Sequence, residues 1–169
     1  MNKKLFLTAF LSLPLSFSAY ANLKFDPAKL DRFYKTGSCQ NCDLSNAKIH
    51  VPSKIHQPFN LQGADISNSS IEFDNDLSHE YSNYTNLTAI GTIFGNHRYA
   101  FGNFKGANLR GAKFVGANLR YANFRDADVH DVDFSGAKLW GTRGINFKDV
   151  KSVCNADMPD GSRGTKGCY

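Results

Sequence analysis

Residues 94–139 read FGNHRYAFGNFKGANLRGAKFVGANLRYANFRDADVHDVDFSGAKL, and every fifth residue is large and apolar. The series is Phe94, Tyr99, Phe104, Leu109, Phe114, Leu119, Phe124, Val129, Phe134 and Leu139. Two residues before most of these stands a small one: Gly102, Ala107, Ala112, Ala117, Ala122, Ala127 and Ala137. A period of five matches neither the helical period of 3.6 nor the strand period of 2. A fixed short period marks a solenoid, whose repeats bury their apolar faces by stacking.

Outward from this run the beat weakens. It is present at Leu44 and Ile49, and again at Leu61, Ile66 and Ile71. Pro52 and Pro58 interrupt it, and between Glu72 and Ile93 the register slips, so an irregular loop or distorted coil is expected there. Ahead of the repeats, Asp26-Pro27 followed by Ala28, Leu30 and Phe33 predicts a short helix. Asp26 is its N-cap, Pro27 suits its first turn and Gly37 ends it. Such a helix would cover the open end of a solenoid.

The first 21 residues carry a different signal. Lys3 and Lys4 precede an apolar stretch from Leu5 to Phe17, and Ala19-Tyr20-Ala21 forms a small-x-small cleavage site. This pattern is a secretory leader cut after Ala21, so the protein is expected to be exported, to the periplasm or beyond. No later stretch is long enough to insert in a membrane as a helix. Without Lys3 and Lys4, 18 basic residues face 15 acidic ones. That balance argues against a nucleic-acid partner, which leaves a concentrated basic patch.

Four cysteines, Cys39, Cys42, Cys154 and Cys168, flank the regular run in pairs. An even count in an exported chain favours disulfides, and three pairings are open. A solenoid keeps its ends apart, which favours Cys39–Cys42 and Cys154–Cys168. The second link would contribute about 3 kcal/mol by restricting the unfolded chain.

The repeats, clearest in Ala107-Asn108-Leu109, Ala122-Asn123-Phe124 and Gly63-Ala64-Asp65-Ile66, resemble the pentapeptide-repeat family, with its consensus Ala-(Asp/Asn)-Leu-x-x. The resemblance implies an all-β, right-handed four-sided β-helix, one repeat per side. The expected organisation is a leader at 1–21, a helical cap at 22–38, repeats over 39–150 with irregular insertions near 50–60 and 72–93, and a disulfide-closed tail at 151–169. Residues twenty apart would then stack about 4.8 Å apart. Phe94, Phe114 and Phe134 would form one stack and Phe104 with Phe124 another. Leu109 with Val129, and Leu119 with Leu139, would form the aliphatic stacks. His97 occupies a slot that elsewhere holds Ala, so a deformed coil is expected around Phe94–Tyr99.

The same register assigns surface neighbours. Lys113 falls beside Asp133, and Arg120 beside Trp140 with Tyr121 adjacent. An Arg over a Trp face makes a cation–π contact. Arg120, Tyr121 and Trp140 therefore form the candidate interaction patch, because these residue types dominate interface hot spots. Lys105, Arg110, Arg120 and Arg125 look like a basic stripe but spread over three sides. Glu72, Asp74, Asp76, His79 and Glu80 make an acidic cluster, read as a solvated loop because it lacks an EF-hand's glycine and terminal Glu. Cys39-x-x-Cys42 has redox spacing without a thioredoxin-like context, and zinc ligation with His50 or His56 would leave an incomplete ligand set. No catalytic constellation, metal site or cofactor is expected.

The function expected from the residues is therefore an exported, non-enzymatic scaffold presenting a protein-binding surface, with a homodimer left open. One alternative, suggested by the resemblance, is a DNA mimic acting on a topoisomerase, which the net positive charge and export disfavour. A thiol or metal protein using Cys39 and Cys42 is the other.

Overall fold

A computed structural model describes residues 26–51, 58–73 and 79–169. The leader at 1–21, the start of the helical cap at 22–25, and Pro52, His56, Asp74 and Asp76 lie outside the described residues. The chain forms an all-β solenoid preceded by a helix. Helix α1 (Pro27–Thr36) begins where Asp26 accepts a hydrogen bond from the Ala28 N–H, with Pro27 in its first turn. It ends at Gly37, which adopts a left-handed conformation (φ 65°) and donates to the Phe33 carbonyl. Phe33 is buried and meets Phe59 edge-on at 5.0 Å. The helix thereby packs its apolar side on the first coils.

Two strands, β1 (Lys48–Val51) and β2 (Ser70–Phe73), pair in parallel, Lys48 opposite Ser70 and Val51 opposite Phe73. Elsewhere the backbone turns every few residues, so the pairing appears as single parallel bridges. These form columns through the coils: Asn60, Asn83, Asn103, Asn123 and Arg143 in one, Arg98, Asn118 and Lys138 in another. From Asn83 to Arg143 partners in the first column are 20 apart. The early coils are longer, with partners 22 apart at Ser38–Asn60 and 23 apart at Asn60–Asn83. The extra residues fall between Lys48 and Asn60, and between Ser70 and Asn83.

The core consists of what points inward at each beat. Phe94 and Phe114 stack with centroids 4.2 Å apart, and Phe114 and Phe134 at 5.6 Å. Tyr84 and Phe104 stack at 4.6 Å, and Phe104 and Phe124 at 4.9 Å. The two stacks meet edge to face, as between Phe104 and Phe114 at 87°, an arrangement that suits the ring quadrupoles. Leu109, Leu119, Val129 and Leu139 are buried in the remaining columns. Ala107, Ala112, Ala117, Ala122 and Ala137 are buried between them, where a larger side chain would overfill a close-packed interior.

Of three expectations, two are corrected here and one is met in part. The slipped register at 72–93 is, from residue 79 onward, a regular coil: Asn83, Thr88 and Ile93 bridge to Asn103, Asn108 and Lys113. Its beat was masked because Leu87 and Ala89 exchange the usual large and small positions, while Ser82 and Thr92 replace Ala. Their hydroxyls are used by the backbone: Ser82 Oγ accepts from the Phe59 N–H at 2.9 Å, and Thr92 Oγ1 donates to the Ile66 carbonyl at 2.7 Å. Second, the deformation expected at Phe94–Tyr99 is present at its corner, where Gly95 (φ 65°) rather than Asn96 takes the left-handed conformation, yet both rings stay inside. Tyr99 is buried and its hydroxyl donates to the Phe94 carbonyl at 2.7 Å. The His97 ring instead reaches 3.4 Å from the place of a Cβ on Gly95, outside the core. Third, His79 is not part of a solvated acidic loop; it is buried and stacks on Phe59 at 4.5 Å.

Cys39 and Cys42 form one disulfide and Cys154 and Cys168 another, with Cα atoms 5.5 and 5.0 Å apart. Near the C-terminal end, Gly144 (φ 87°) is backed against the preceding coil. A Cβ there would lie 2.6 Å from Arg125 Cα and from the Phe124 carbonyl carbon. Backbone cannot swing aside as a side chain can. Gly144→Ala is expected to destabilise by about 2–4 kcal/mol through strain plus overpacking, measured by thermal unfolding.

Candidate interaction surface

The coils turn through two-residue corners whose second residue takes a left-handed conformation, except at Gly95–Asn96, where the first does. Gly, Asn and Asp tolerate this; a bulky residue does so at a cost of about 1–2 kcal/mol. The described corners follow the rule at Asn41, Asn46, Asn68, Asn86, Asp126, Asp131 and Asn155, and at many glycines. One column breaks it three times in succession: Tyr81 (φ 62°), Phe101 (φ 59°) and Tyr121 (φ 59°).

These rings form a ladder on the outside of the solenoid. Tyr81 and Phe101 stack at 4.8 Å and 6°, and Phe101 and Tyr121 at 4.9 Å and 11°. All three stay exposed, at 65%, 42% and 42%. Stacking returns about 0.5–1.5 kcal/mol per pair, so the strain is offset only in part. Aromatic residues at strained, exposed corners are poorly explained by stability alone.

Trp140 ends the ladder, 49% exposed, its ring set at 74° to Tyr121 with centroids 5.0 Å apart. The next residue explains the pose. At Gly141 a Cβ would come 2.6 Å from Tyr121 Cδ1, so the absent side chain admits the Tyr121 ring, and Trp140 turns onto its edge. This corrects the expected Arg120–Trp140 cation–π contact: among the described residues the ring contact of Trp140 is Tyr121. Arg120 is an exposed cation at the same corner as Tyr121, its N–H bonded to Asn118 Oδ1.

Polar residues run along both flanks. Asn123 Nδ2 donates to Asn103 Oδ1 at 3.0 Å, and Arg143 Nε reaches Asn123 Oδ1 at 3.4 Å. On the other flank Arg98 pairs with Glu80 at 2.9 Å, and Lys138 is exposed. Lys105 and Arg125 share a neighbouring corner column, whereas Arg110 lies elsewhere, paired with Asp128 at 3.3 Å. Lys113 and Asp133 are bridge partners, but the Asp133 carboxylate accepts from the Ser135 N–H and hydroxyl, which closes its own turn.

The cysteine alternatives lose their chemistry. Cys39 and Cys42 are joined and buried, leaving no thiolate for exchange or metal binding. His50 is exposed, its N–H donating to the Tyr34 hydroxyl. Among the described residues no group of three metal-ligating side chains converges. Tyr81 and Phe101 were missed in the sequence, although Tyr81, Phe101 and Tyr121 are spaced by twenty; Tyr81 fell in the segment read as irregular.

The model for pentapeptide repeats matches residues 103–141 in eight copies. No curated protein matches the chain. Among solved structures, HetL from Nostoc sp. strain PCC 7120, a pentapeptide repeat protein involved in heterocyst differentiation regulation, is 19% identical with a TM-score of 0.57. The alignment covers 75% of this chain and 65% of HetL, so the chain spans less than two thirds of that relative. A pentapeptide repeat protein from the Arabidopsis thaliana thylakoid lumen is 19% identical over 72% of this chain and 65% of its own, with a TM-score of 0.36. Rfr23 from Cyanothece 51142 is 22% identical over 73% and 97%, with a TM-score of 0.32. The likeness to HetL supports the solenoid fold and carries no function with it.

Proposed function

We propose that this pentapeptide-repeat protein is an exported, non-enzymatic scaffold whose aromatic ladder binds a partner protein. The observation that carries this reading is the placement of Tyr81, Phe101 and Tyr121 at left-handed corners that elsewhere hold Gly, Asn or Asp. A sequence selected for stability alone would fill those corners as it fills the others. Trp, Tyr and Arg are the residues that most often anchor interfaces, and Tyr121, Trp140 and Arg120 stand together at one end of the ladder. The rings are held rigid by stacking, so binding freezes little side-chain motion.

The rest of the molecule supports that display. Bridge columns with a twenty-residue repeat support a coil of four five-residue sides, read here as right-handed, with helix α1 as its N-terminal cap. The leader at 1–21 would deliver the folded chain outside the cytoplasm, where both disulfides persist.

The test is photo-cross-linking of the mature protein in the extracytoplasmic fraction, comparing wild type with Phe101→Gly. Glycine relieves the corner strain while losing two stacking contacts, so stability is expected to change by no more than about 1 kcal/mol. Adducts formed by the wild type are expected to disappear. Identical adducts from both proteins would remove the ladder as the binding surface.

A further inference from the structure

Two sides of the solenoid meet along the aromatic ladder. One carries the column Asn103, Asn123 and Arg143, the other Arg98, Asn118 and Lys138. The corner beyond the first side holds Lys105 and Arg125. Over the coils from 95 to 146, these two sides and their corners therefore gather the cations Arg98, Lys105, Arg120, Arg125, Lys138 and Arg143 around one carboxylate, Asp126. The other carboxylates of the same coils, Asp128, Asp131 and Asp133, stand on the remaining sides, where Arg110 pairs with Asp128. The near balance of basic and acidic residues in the whole chain hides this segregation. Arg98 is paired with Glu80, but among the described residues Lys105, Arg120, Arg125, Lys138 and Arg143 are in no ion pair.

The rings add to the same sign. Phe101 has Tyr81 stacked on one face at 6° and Tyr121 on the other at 11°, so what it offers a partner is its rim. A ring's rim is the positive end of its quadrupole and its faces the negative. A stacked column thus presents the rims that suit carboxylates and withholds the faces that cations prefer. It also withholds the faces on which the bases of a single-stranded nucleic acid stack. A lipid surface takes up a broad apolar face. Here Asn118 on one flank and Asn103 with Asn123 on the other border the rings with amides.

We infer that the ladder's partner is an acidic protein segment, whose carboxylates meet the ring rims and the unpaired cations beside them; this rests on the reading of the ladder as a protein-binding surface. The cations steer the segment to the face and set its position. The stacked rings supply a rigid surface that neither side must order.

The probe is labelled poly-L-glutamate, titrated with the mature protein and followed by fluorescence anisotropy. Binding is expected at low salt and is expected to weaken as salt rises. Arg120→Glu with Arg143→Glu should weaken it by about tenfold or more, whereas Lys148→Glu with Lys151→Glu, an equal change in net charge on other sides, should weaken it by about twofold at most. Circular dichroism checks the fold, and Arg120→Gln with Arg143→Gln is read instead should the reversed pair misfold. No binding, or equal loss in both pairs, overturns the proposal. Tighter binding of a single-stranded oligonucleotide or of phosphatidylglycerol vesicles, lost in the same ladder-side pair, overturns it in favour of that occupant. Cross-linking separates this failure from failure of the ladder itself. Adducts lost in Phe101→Gly but kept in Arg120→Glu with Arg143→Glu leave the ladder as a binding surface and overturn its acidic partner. Adducts kept in Phe101→Gly overturn the ladder, and the acidic partner with it.

Discussion

Phe114→Ala is expected to lower stability by about 3–5 kcal/mol, as for other buried aromatic truncations. Phe114 is fully buried and stacks on Phe94 at 4.2 Å and Phe134 at 5.6 Å, with Phe104 edge-on at 5.6 Å. Removing the ring leaves a cavity with aromatic neighbours above, below and beside it. Each of those neighbours is itself stacked in the same columns, so collapse into the gap would break a further contact. The surrounding backbone is also fixed: the Phe114 N–H donates to the Asp133 carbonyl and the Lys113 N–H to Thr92, which holds the coils at their spacing. Stability in a solenoid is close to a sum of local coils and their interfaces, so the loss should broaden the thermal transition as well as lower its midpoint. Val115→Ala, at an exposed neighbouring corner, is the control and should change stability by less than about 0.5 kcal/mol. Equal midpoints for the two variants would refute the stacked core.

How much of this was legible in the chain depended on what set each residue. The inward columns could be read because one physical demand, filling a coil of constant cross-section, recurs every five residues. The helix was legible from Asp26, Pro27 and Gly37 because capping is local. The coil at 79–93 was hidden because its core was filled by an inverted pair, Leu87 and Ala89, which conserves volume without conserving pattern. Ser82 and Thr92 look polar in sequence but act as small residues whose hydroxyls satisfy nearby backbone.

The surface was less legible for a related reason. Folding the sequence by twenties places Arg120 beside Trp140 correctly in the backbone, since both are first residues of stacked corners. It does not reveal where a ring turns. That depended on Gly141, whose missing Cβ opens the space entered by Tyr121. A twenty-residue register predicts neighbours; side-chain direction then follows from the vacancies the register creates. The ladder itself needed the backbone, because an aromatic residue becomes informative here once its corner is known to be left-handed.

Acidification from pH 6.5 to 4 is expected to remove about 3 kcal/mol of stability through one residue, at about 1.4 kcal/mol per pKa unit. His79 is buried, stacked on Phe59 at 4.5 Å, with Tyr99 at 6.0 Å. Burial, and secondarily the charge of His97, lowers its pKa from 6.5 to about 3. Above pH 6.5 the imidazole is neutral in both folded and unfolded chains, and contributes no slope. Below 6.5 the unfolded chain takes up a proton that the folded chain refuses, so unfolding becomes steadily more favourable until the folded pKa is reached. Most of this window lies above the range where Asp43 and Asp128 add their own effect; both have lowered pKa values, so their contribution is lost only at more acidic pH. His79→Phe keeps a ring against Phe59 and removes the titration. Denaturant unfolding at pH 7, 6, 5 and 4 should show a falling midpoint for wild type and a nearly flat one for the variant. Parallel pH profiles would mean that His79 is protonated in the folded protein, and that its burial does not exclude the charge.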